Sequence, residues 1–225
     1  FGALAHTFVV GMQTMEVGHV PVTGPTSAIS TFVWLLALAY LYIEITTEER
    51  AMGVFILPLL VLLQAIPALR PGIEQRAVDL EGPFFGIHVS SLLLAYASFA
   101  LAFVIGITYV LLFKEIKAKH LGFFYARLPS LQVLDQMNQR AVVFGWACLT
   151  IGLMVGAAWA AQYPSGDPRV QAMSLRDPKI LVAVICWVVY SFELFAARRI
   201  GCGGRRTAYL SAVGFCIVLL KFVVL

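Results

Sequence analysis

Histidines are the best candidates for ligand chemistry in this 225-residue chain, because imidazole is the commonest protein ligand for metal ions. His88 has the strongest claim. It lies near the start of the run 84–113, which contains no other acid or base, and it follows the aromatic pair Phe84 and Phe85. The sequence therefore offers one helical ligand beside an aromatic wall, and His88 is our candidate metal ligand. A lone helical histidine with a structural role is the alternative.

The other three histidines have weaker claims. His6 lies in an apolar stretch, where a hydrogen-bonded structural histidine and a functional one are both open. His19 stands in a Gly-His-Val-Pro turn and is predicted to bond its own backbone, with ligation as the alternative. His120 lies in a basic loop and is predicted to be solvated. The four cysteines show no CxxC or Cys/His spacing, so we interpret them as small apolar core residues.

The composition places these residues in a membrane protein. Hydrophobic residues make up 60% of the chain and charged residues 12%, against about 25% in soluble domains. The formal charge of +4 does not indicate nucleic-acid binding, because the bases lie in short loops between apolar segments. No HExxH, GxGxxG, phosphate-binding loop or nucleophile elbow occurs in the sequence, so soluble-enzyme chemistry has no support.

The run 84–113 is the element around which the chain is organised. As a helix it is roughly 45 Å long, which exceeds the hydrocarbon thickness of about 30 Å. His88 lies nearly 40 Å from Lys114, the base that follows the run, at about 1.5 Å per residue. We therefore expect His88 at or just outside the hydrocarbon edge, on the side opposite Lys114.

The apolar segments predict an all-α, polytopic transmembrane bundle of at least seven spans, formed by one membrane domain covering residues 1–225. The predicted spans are about 1–15, 26–45, 51–69, 84–113, 141–161, 180–197 and from 208 onward. The chain opens without Met and stops inside an apolar run, so we expect it to be part of a longer protein, and no signal peptide is evident.

The distribution of Lys and Arg predicts the orientation. Loops 45–50, 114–140 and 198–206 carry ten of these bases, whereas loops 70–83 and 162–179 carry five. The ten-base side is predicted to be cytoplasmic, in the inner membrane of a bacterium. His19, His88 and loop 162–179 then face outward.

Four pieces of the sequence, in order, resemble the membrane cytochrome c assembly family of the CcsA/ResC type, which is related to CcmC and to HemX-like proteins. They are GHVP (18–21), GIHVSSLLLAYASFALAFVIGITYVL (86–111), LPSLQVLDQMNQRAVVFGWACLTIGLMVGAAWA (128–160), and DPK followed by WVVY (177–190). The third piece is long and specific, with the pattern LDxxNxRAxxxGxxxLTxGxxxGxxWA, and the four pieces together span most of the chain.

The resemblance implies a haem site. In the family, the histidine of the second piece is an outward haem ligand, here His88, and the fourth piece ends a tryptophan-rich external loop that holds haem for attachment to apocytochrome c. It thus assigns haem contacts to His88 as axial ligand and to Trp159 and Asp177. The candidates for a second ligand are His19 in the outward turn, a residue beyond Leu225 or water, with His6 a weaker candidate. Without a second ligand the iron is expected to be five-coordinate. Haem is the cofactor implied.

The chain departs from the family pattern at several haem-contacting positions. The family loop reads WxSWDPKETW, whereas this chain has SLRDPKILV (174–182), which lacks the tryptophans that would stack on a porphyrin. The family's histidine in the following span falls on Phe195, which cannot ligate. The early Asn-x-Tyr-Glu-Ser motif is replaced by residues 24–28, GPTSA. Of the family's haem ligands, only His88 carries over.

These departures favour a degenerate family member that serves as an integral-membrane structural subunit of a larger complex and is not itself an enzyme. One alternative is a haem-handling protein of cytochrome c maturation, the membrane component of a haem lyase, with His88 as ligand. A second is a HemX-like role in haem biosynthesis. The expected partners are the lipid bilayer, other membrane subunits, and c-type cytochromes or a CcsB/ResB-like protein, with no nucleic acid.

Overall fold

The computed structural model describes residues 1–18, 20–22, 24–69, 83–119, 122–162, 178–199 and 204–224, and within these ranges every regular element is a helix. The predicted all-α class is confirmed. The helices are α1 (Gly2–Val17), α2 (Pro25–Thr47), α3 (Gly53–Leu69), α4 (Pro83–Lys117), α5 (Phe123–Arg127), α6 (Leu131–Ala160), α7 (Pro178–Arg199) and α8 (Arg205–Val224).

The long helix α4 is the centre of the bundle. It packs most extensively against α6 and also contacts α2, α5 and α8, while α1 lies on α2 and α7 lies on α8 and α6. Its middle third, from Ala95 to Ile105, is almost wholly buried and lies in a core that also contains Leu149 of α6 and Tyr190 of α7. The apolar run that the sequence singled out is therefore the helix that the other long helices surround.

Within the part of the chain that the structure describes, three helices are long and apolar enough to cross a membrane, judged by length and composition: Thr26–Thr47, Phe84–Lys117 and Leu131–Ala160. Two further helices, Gly53–Leu69 and Ile180–Ala196, are apolar but shorter. Together they define an integral membrane protein with a helical bundle. The total of seven spans stays a prediction.

Helix α6 begins ten residues earlier than the predicted span at 141, which corrects the assignment of residues 131–140 to a polar loop. The Ser130 hydroxyl caps the helix by accepting a hydrogen bond from the Val133 N–H at 3.4 Å. Leu134, Met137 and Asn138 of the added turns are all buried. Two of its polar side chains, Asp135 and Asn138, bond to residues at or near the start of α8. That bonding leaves no mark in the local hydrophobic periodicity.

Asp135 joins this early part of α6 to the start of α8. Its Oδ1 accepts hydrogen bonds from the Gly204 N–H at 2.8 Å and from the Thr207 hydroxyl at 3.0 Å. A carboxylate at a helix N-terminus satisfies backbone donors that the helix itself leaves free, and it opposes the positive end of the helix dipole.

Replacing Asp135 by alanine should therefore lower the free energy of unfolding by about 1–2 kcal/mol, the usual cost of losing a capping side chain. Asp135→Asn, which keeps one acceptor oxygen, should lose less. Thermal unfolding of the purified protein in detergent measures both. Equal midpoints for the wild type and Asp135→Ala would show that the cap contributes nothing.

Several contacts gather the predicted cytoplasmic segments at one end of the bundle. Phe55, just after the α2–α3 turn, stacks on Phe124 of α5 at 6.1 Å between ring centroids. The Glu115 carboxylate, near the end of α4, accepts a hydrogen bond from the Tyr125 N–H at 2.9 Å. The Asp135–Gly204 bond adds the α7–α8 connection to the same end. We call this the basic end and the opposite one the His88 end.

The two ends should lie on opposite sides of the membrane. Cysteine introduced at Lys117, at the basic end, should react with a membrane-impermeant maleimide only in inverted vesicles, whereas cysteine at Gln162, after α6, should react only in right-side-out vesicles. The background protein should carry Cys202→Ser, because that native thiol lies in a predicted cytoplasmic loop. Labelling of both positions from one side would contradict the predicted topology.

Candidate functional site

His88 lies in the second turn of α4 and faces α6. Its Nδ1 forms a 2.7 Å hydrogen bond with the backbone carbonyl of Gly152. A carbonyl oxygen can only accept, so Nδ1 carries the proton and the lone pair of a neutral ring lies on Nε2. Among the described residues Nε2 has no hydrogen-bond partner, and the ring is half-buried. This is the tautomer and orientation in which protein histidines ligate metals through Nε2.

Two glycines of α6 make room for the ring. A Cβ placed on Gly156 would lie 2.6 Å from both Cε1 and Nδ1 of His88, which is closer than van der Waals contact allows. One turn earlier, a Cβ on Gly152 would lie 2.8 Å from a methyl group of Leu92. The two glycines therefore form a backbone groove in which α4 and the imidazole lie directly against α6.

An aromatic pair lies beside the imidazole. Phe85, one turn before His88, contacts Trp159, one turn after Gly156, with 5.7 Å between ring centroids and 57° between the planes. Trp159 is buried, with 4% of its surface exposed, while Phe85 is half-buried. The structure thus brings together two of the four predicted site residues, His88 and Trp159, at one end of the α4–α6 pair.

The other two predicted site residues, His19 and Asp177, lie outside the described residues, and their assignment stays a prediction. His6 is held elsewhere. Its Nε2 is hydrogen-bonded to the Ser30 hydroxyl at 3.1 Å. The Gln64 side-chain amide donates to the same hydroxyl at 3.3 Å. His6 thus joins α1 to α2 and α3, which supports the structural interpretation of that histidine.

Phe195, at the position of the family's other histidine, lies far from His88. It belongs to the last turns of α7, about 25 Å along the axis from the start of that helix, and 55% of its surface is exposed. A side chain at position 195 therefore faces lipid or a neighbouring protein near the basic end. It could not ligate an iron held by His88.

A cavity of about 590 Å³ also lies at the basic end and not near His88. It is lined by the end of α4, by α5 and by the first residues of α6, including Leu112, Ile116, Tyr125 and Leu128. Its position separates it from the imidazole by most of the length of α4.

Sequence reasoning did not single out Glu193 of α7. It is 2% exposed and lies next to Ser211 of α8, whose hydroxyl donates to Glu193 Oε1 at 2.6 Å. A single acid in the apolar helix Ile180–Ala196 is the signal that would have identified it, since ionisable residues inside membranes are rare and costly.

The structure explains most of the long motif of α6 as a packing face. Its residues contact α8 at the basic end, through Asp135 and Asn138, and α4 along the rest of the helix, through Gly145, Gly152, Gly156 and Trp159. In this chain the motif therefore positions α4 and α8, and at its last turn it positions His88.

A helical bundle with a half-buried histidine at one end, backed by glycines and a tryptophan on the neighbouring helix, defines a class of integral membrane proteins with one candidate ligand at the end of the bundle. The model of the family described as "Cytochrome C assembly protein" matches residues 22–225. The chain belongs to that family.

Curated relatives share most of its length. It is similar to the "Cytochrome c biogenesis protein CcsA" of Guillardia theta, with 27% identity over 232 residues, 94% of this chain and 75% of the relative. The protein of the same name from Microcystis aeruginosa is 24% identical over 259 residues, 93% and 77% of the two chains. That from Chlamydomonas reinhardtii is 26% identical over 212 residues, 89% and 56% of the two chains. The resemblance stated above is thereby confirmed.

Proposed function

We propose that this protein is a haem-handling component of cytochrome c assembly, which would hold haem at the outer face of the bacterial inner membrane with His88 Nε2 as an iron ligand. The single observation that carries the proposal is the state of the imidazole, with Nδ1–H bonded to the Gly152 carbonyl and Nε2 without a described partner. The names of the relatives support the process, because they describe cytochrome c biogenesis.

The residues at the His88 end fit haem. A histidine that donates its Nδ1–H to a carbonyl is fixed in orientation, with Nε2 left to bind a ligand. Phe85 and Trp159 supply an apolar aromatic surface next to it. When bound, haem supplies an iron that takes the imidazole as ligand and vinyl groups that react with cysteine thiols. The protein's own contribution is to bind and orient.

The chain's residues divide this task. His88 would bind the iron, and the Gly152 carbonyl holds the imidazole in its orientation. Gly156, which has no side chain, leaves room for the imidazole ring. Trp159 supports Phe85 from behind, because it is buried while Phe85 is half-buried. A CcsB/ResB-like partner and an apocytochrome c are the partners that this role requires.

The decisive measurement is the absorption spectrum of the purified protein after haem loading. The wild type should show a Soret band, and His88→Ala should lose it, because the ligand is gone. His6→Ala is the matched control: that histidine also lies in a helix, but it is bonded to Ser30, so the band should stay. A Soret band unchanged in His88→Ala would overturn the proposal.

The second candidate is the degenerate structural subunit predicted from the sequence. The packing of the His88 ring in the Gly152–Gly156 groove favours it, because a helix-joining role uses the same contact. The sequence SLRDPKILV, without the tryptophans of the external loop, favours it too. His88→Ala would then leave spectra unchanged and reduce co-purification with the other membrane subunits. A HemX-like role in haem biosynthesis is the third candidate, and haem binding without any effect on cytochrome c maturation would favour it.

A further inference from the structure

Three helices share a buried chain of hydrogen bonds near the basic end, separate from the His88 site. The Asn138 amide of α6 donates to the Ser211 hydroxyl of α8 at 2.9 Å, and that hydroxyl donates to Glu193 Oε1 of α7 at 2.6 Å. All three side chains are at most 2% exposed. They lie about 9–11 Å inside the basic ends of their helices, at 1.5 Å per residue.

Three oxygens around this chain have no hydrogen-bond partner among the described residues: Glu193 Oε2, Asn138 Oδ1 and Tyr190 Oη. Tyr190 is one turn before Glu193 on α7, and its ring stacks on Phe99 of α4 with 3.7 Å between centroids. The carboxyl therefore has one hydrogen bond, from Ser211, at a place closed on all sides by protein. An ionised carboxylate there would lack most of the donors that a buried charge requires.

Among the side chains that the structure describes on these helices, no charged group is bonded to Glu193. On α6, the Asp135 carboxylate lies one turn nearer the basic end and is bonded to Gly204 and Thr207, and Arg140 is exposed. On α8, the Arg205 guanidinium lies over the Phe113 ring of α4, at 5.4 Å. The one ion pair between described side chains joins Arg50 to Glu44 and does not involve Glu193.

We propose that Glu193 is a proton-binding site buried inside the helix bundle, occupied as a neutral carboxylic acid. Ser211 has a single hydroxyl proton and gives it to Oε1, so Oε1 is the carbonyl oxygen and Oε2 carries the bound proton. Oε2 and Asn138 Oδ1 are both buried without a hydrogen-bond partner among the described residues. The ligand of the site is thus H⁺. The Asn138–Ser211–Glu193 hydrogen bonds depend on that proton, because its loss leaves a buried charge among three helices.

Infrared difference spectroscopy of the purified protein in lipid nanodiscs tests the proposal. The wild type minus Glu193→Gln spectrum should contain one protonated-carboxyl C=O band and no carboxylate bands. Glutamine keeps the volume and both hydrogen-bonding roles, because its oxygen accepts from Ser211 and its NH₂ donates in place of the acid proton. In Ser211→Ala the C=O band should move to higher frequency, because the hydrogen bond to Oε1 is removed.

Glu115→Gln is the matched control, because that carboxylate accepts backbone N–H bonds from Phe124 and Tyr125 at the basic end. Its difference spectrum should contain carboxylate bands only. Carboxylate bands in the Glu193 difference spectrum, or a C=O band insensitive to Ser211→Ala, would overturn the proposal. So would an unfolding midpoint that falls in the wild type, but not in Glu193→Gln, when sodium is replaced by choline, because a bound metal cation would then hold an ionised Glu193.

Discussion

Gly156→Val should lower the free energy of unfolding by about 3 kcal/mol, at the upper end of the usual cost of overpacking. The same substitution should release haem from the loaded protein. A Cβ added at this position would lie 2.6 Å from the His88 ring, and valine carries two further methyl groups on that carbon. The imidazole then has to rotate away from Gly152, which breaks the 2.7 Å hydrogen bond, or α4 has to move away from α6. Either movement displaces the proposed ligand.

Gly86→Val is the control for this substitution. A Cβ on Gly86 meets nothing within 4 Å, and both positions are helical, so the cost of a β-branched residue in a helix is common to both variants. The difference between the two unfolding midpoints then reports the steric conflict at His88, and the difference between the two Soret intensities reports its effect on the ligand. Equal midpoints would show that α4 and α6 are not packed as closely as the structure describes.

Much of the fold follows from hydrophobicity alone. The run 84–113 was predicted to be an over-long spanning helix, and α4 covers 35 residues at the centre of the bundle. The start of α6 was not predicted, because Asp135 and Asn138 make residues 131–140 polar in composition. Their partners Gly204 and Ser211 are about 70 residues away in sequence, and a pairing at that distance leaves no local pattern.

The site was predictable to a similar degree. His88 is visible in sequence because it is a lone imidazole in an apolar run, but its partner is a backbone carbonyl, which no side-chain pattern indicates. Trp159 was identified through the family motif, and the structure adds that it is buried against Phe85. Glu193 could have been singled out as an isolated acid in an apolar helix, but its position relative to Ser211 depends on how α7 and α8 pack.

Trp159→Ala should be the most destabilising single change at the His88 end, with a loss of about 3–5 kcal/mol in the free energy of unfolding. The indole is 4% exposed and packs on Phe85, so its removal leaves a cavity between the ends of α4 and α6. In haem-loaded protein the Soret band should keep its position and lose intensity, because Trp159 supports Phe85 beside His88 and does not itself ligate the iron. Trp159→Phe, which refills part of the space, should recover most of both losses.

Trp187→Ala separates these two effects. That indole donates a hydrogen bond to the Thr150 hydroxyl and stacks on Trp146, so its loss should also destabilise the protein. Thr150 lies about 13 Å along α6 from Trp159, toward the basic end, so the Soret intensity of the folded fraction should not change. If the two tryptophan variants lose haem equally at equal stability, the haem loss comes from destabilisation alone, and Trp159 does not support the His88 site. If Trp159→Ala shifts the Soret maximum, the indole lies in direct contact with the porphyrin, and the support role assigned to it is wrong.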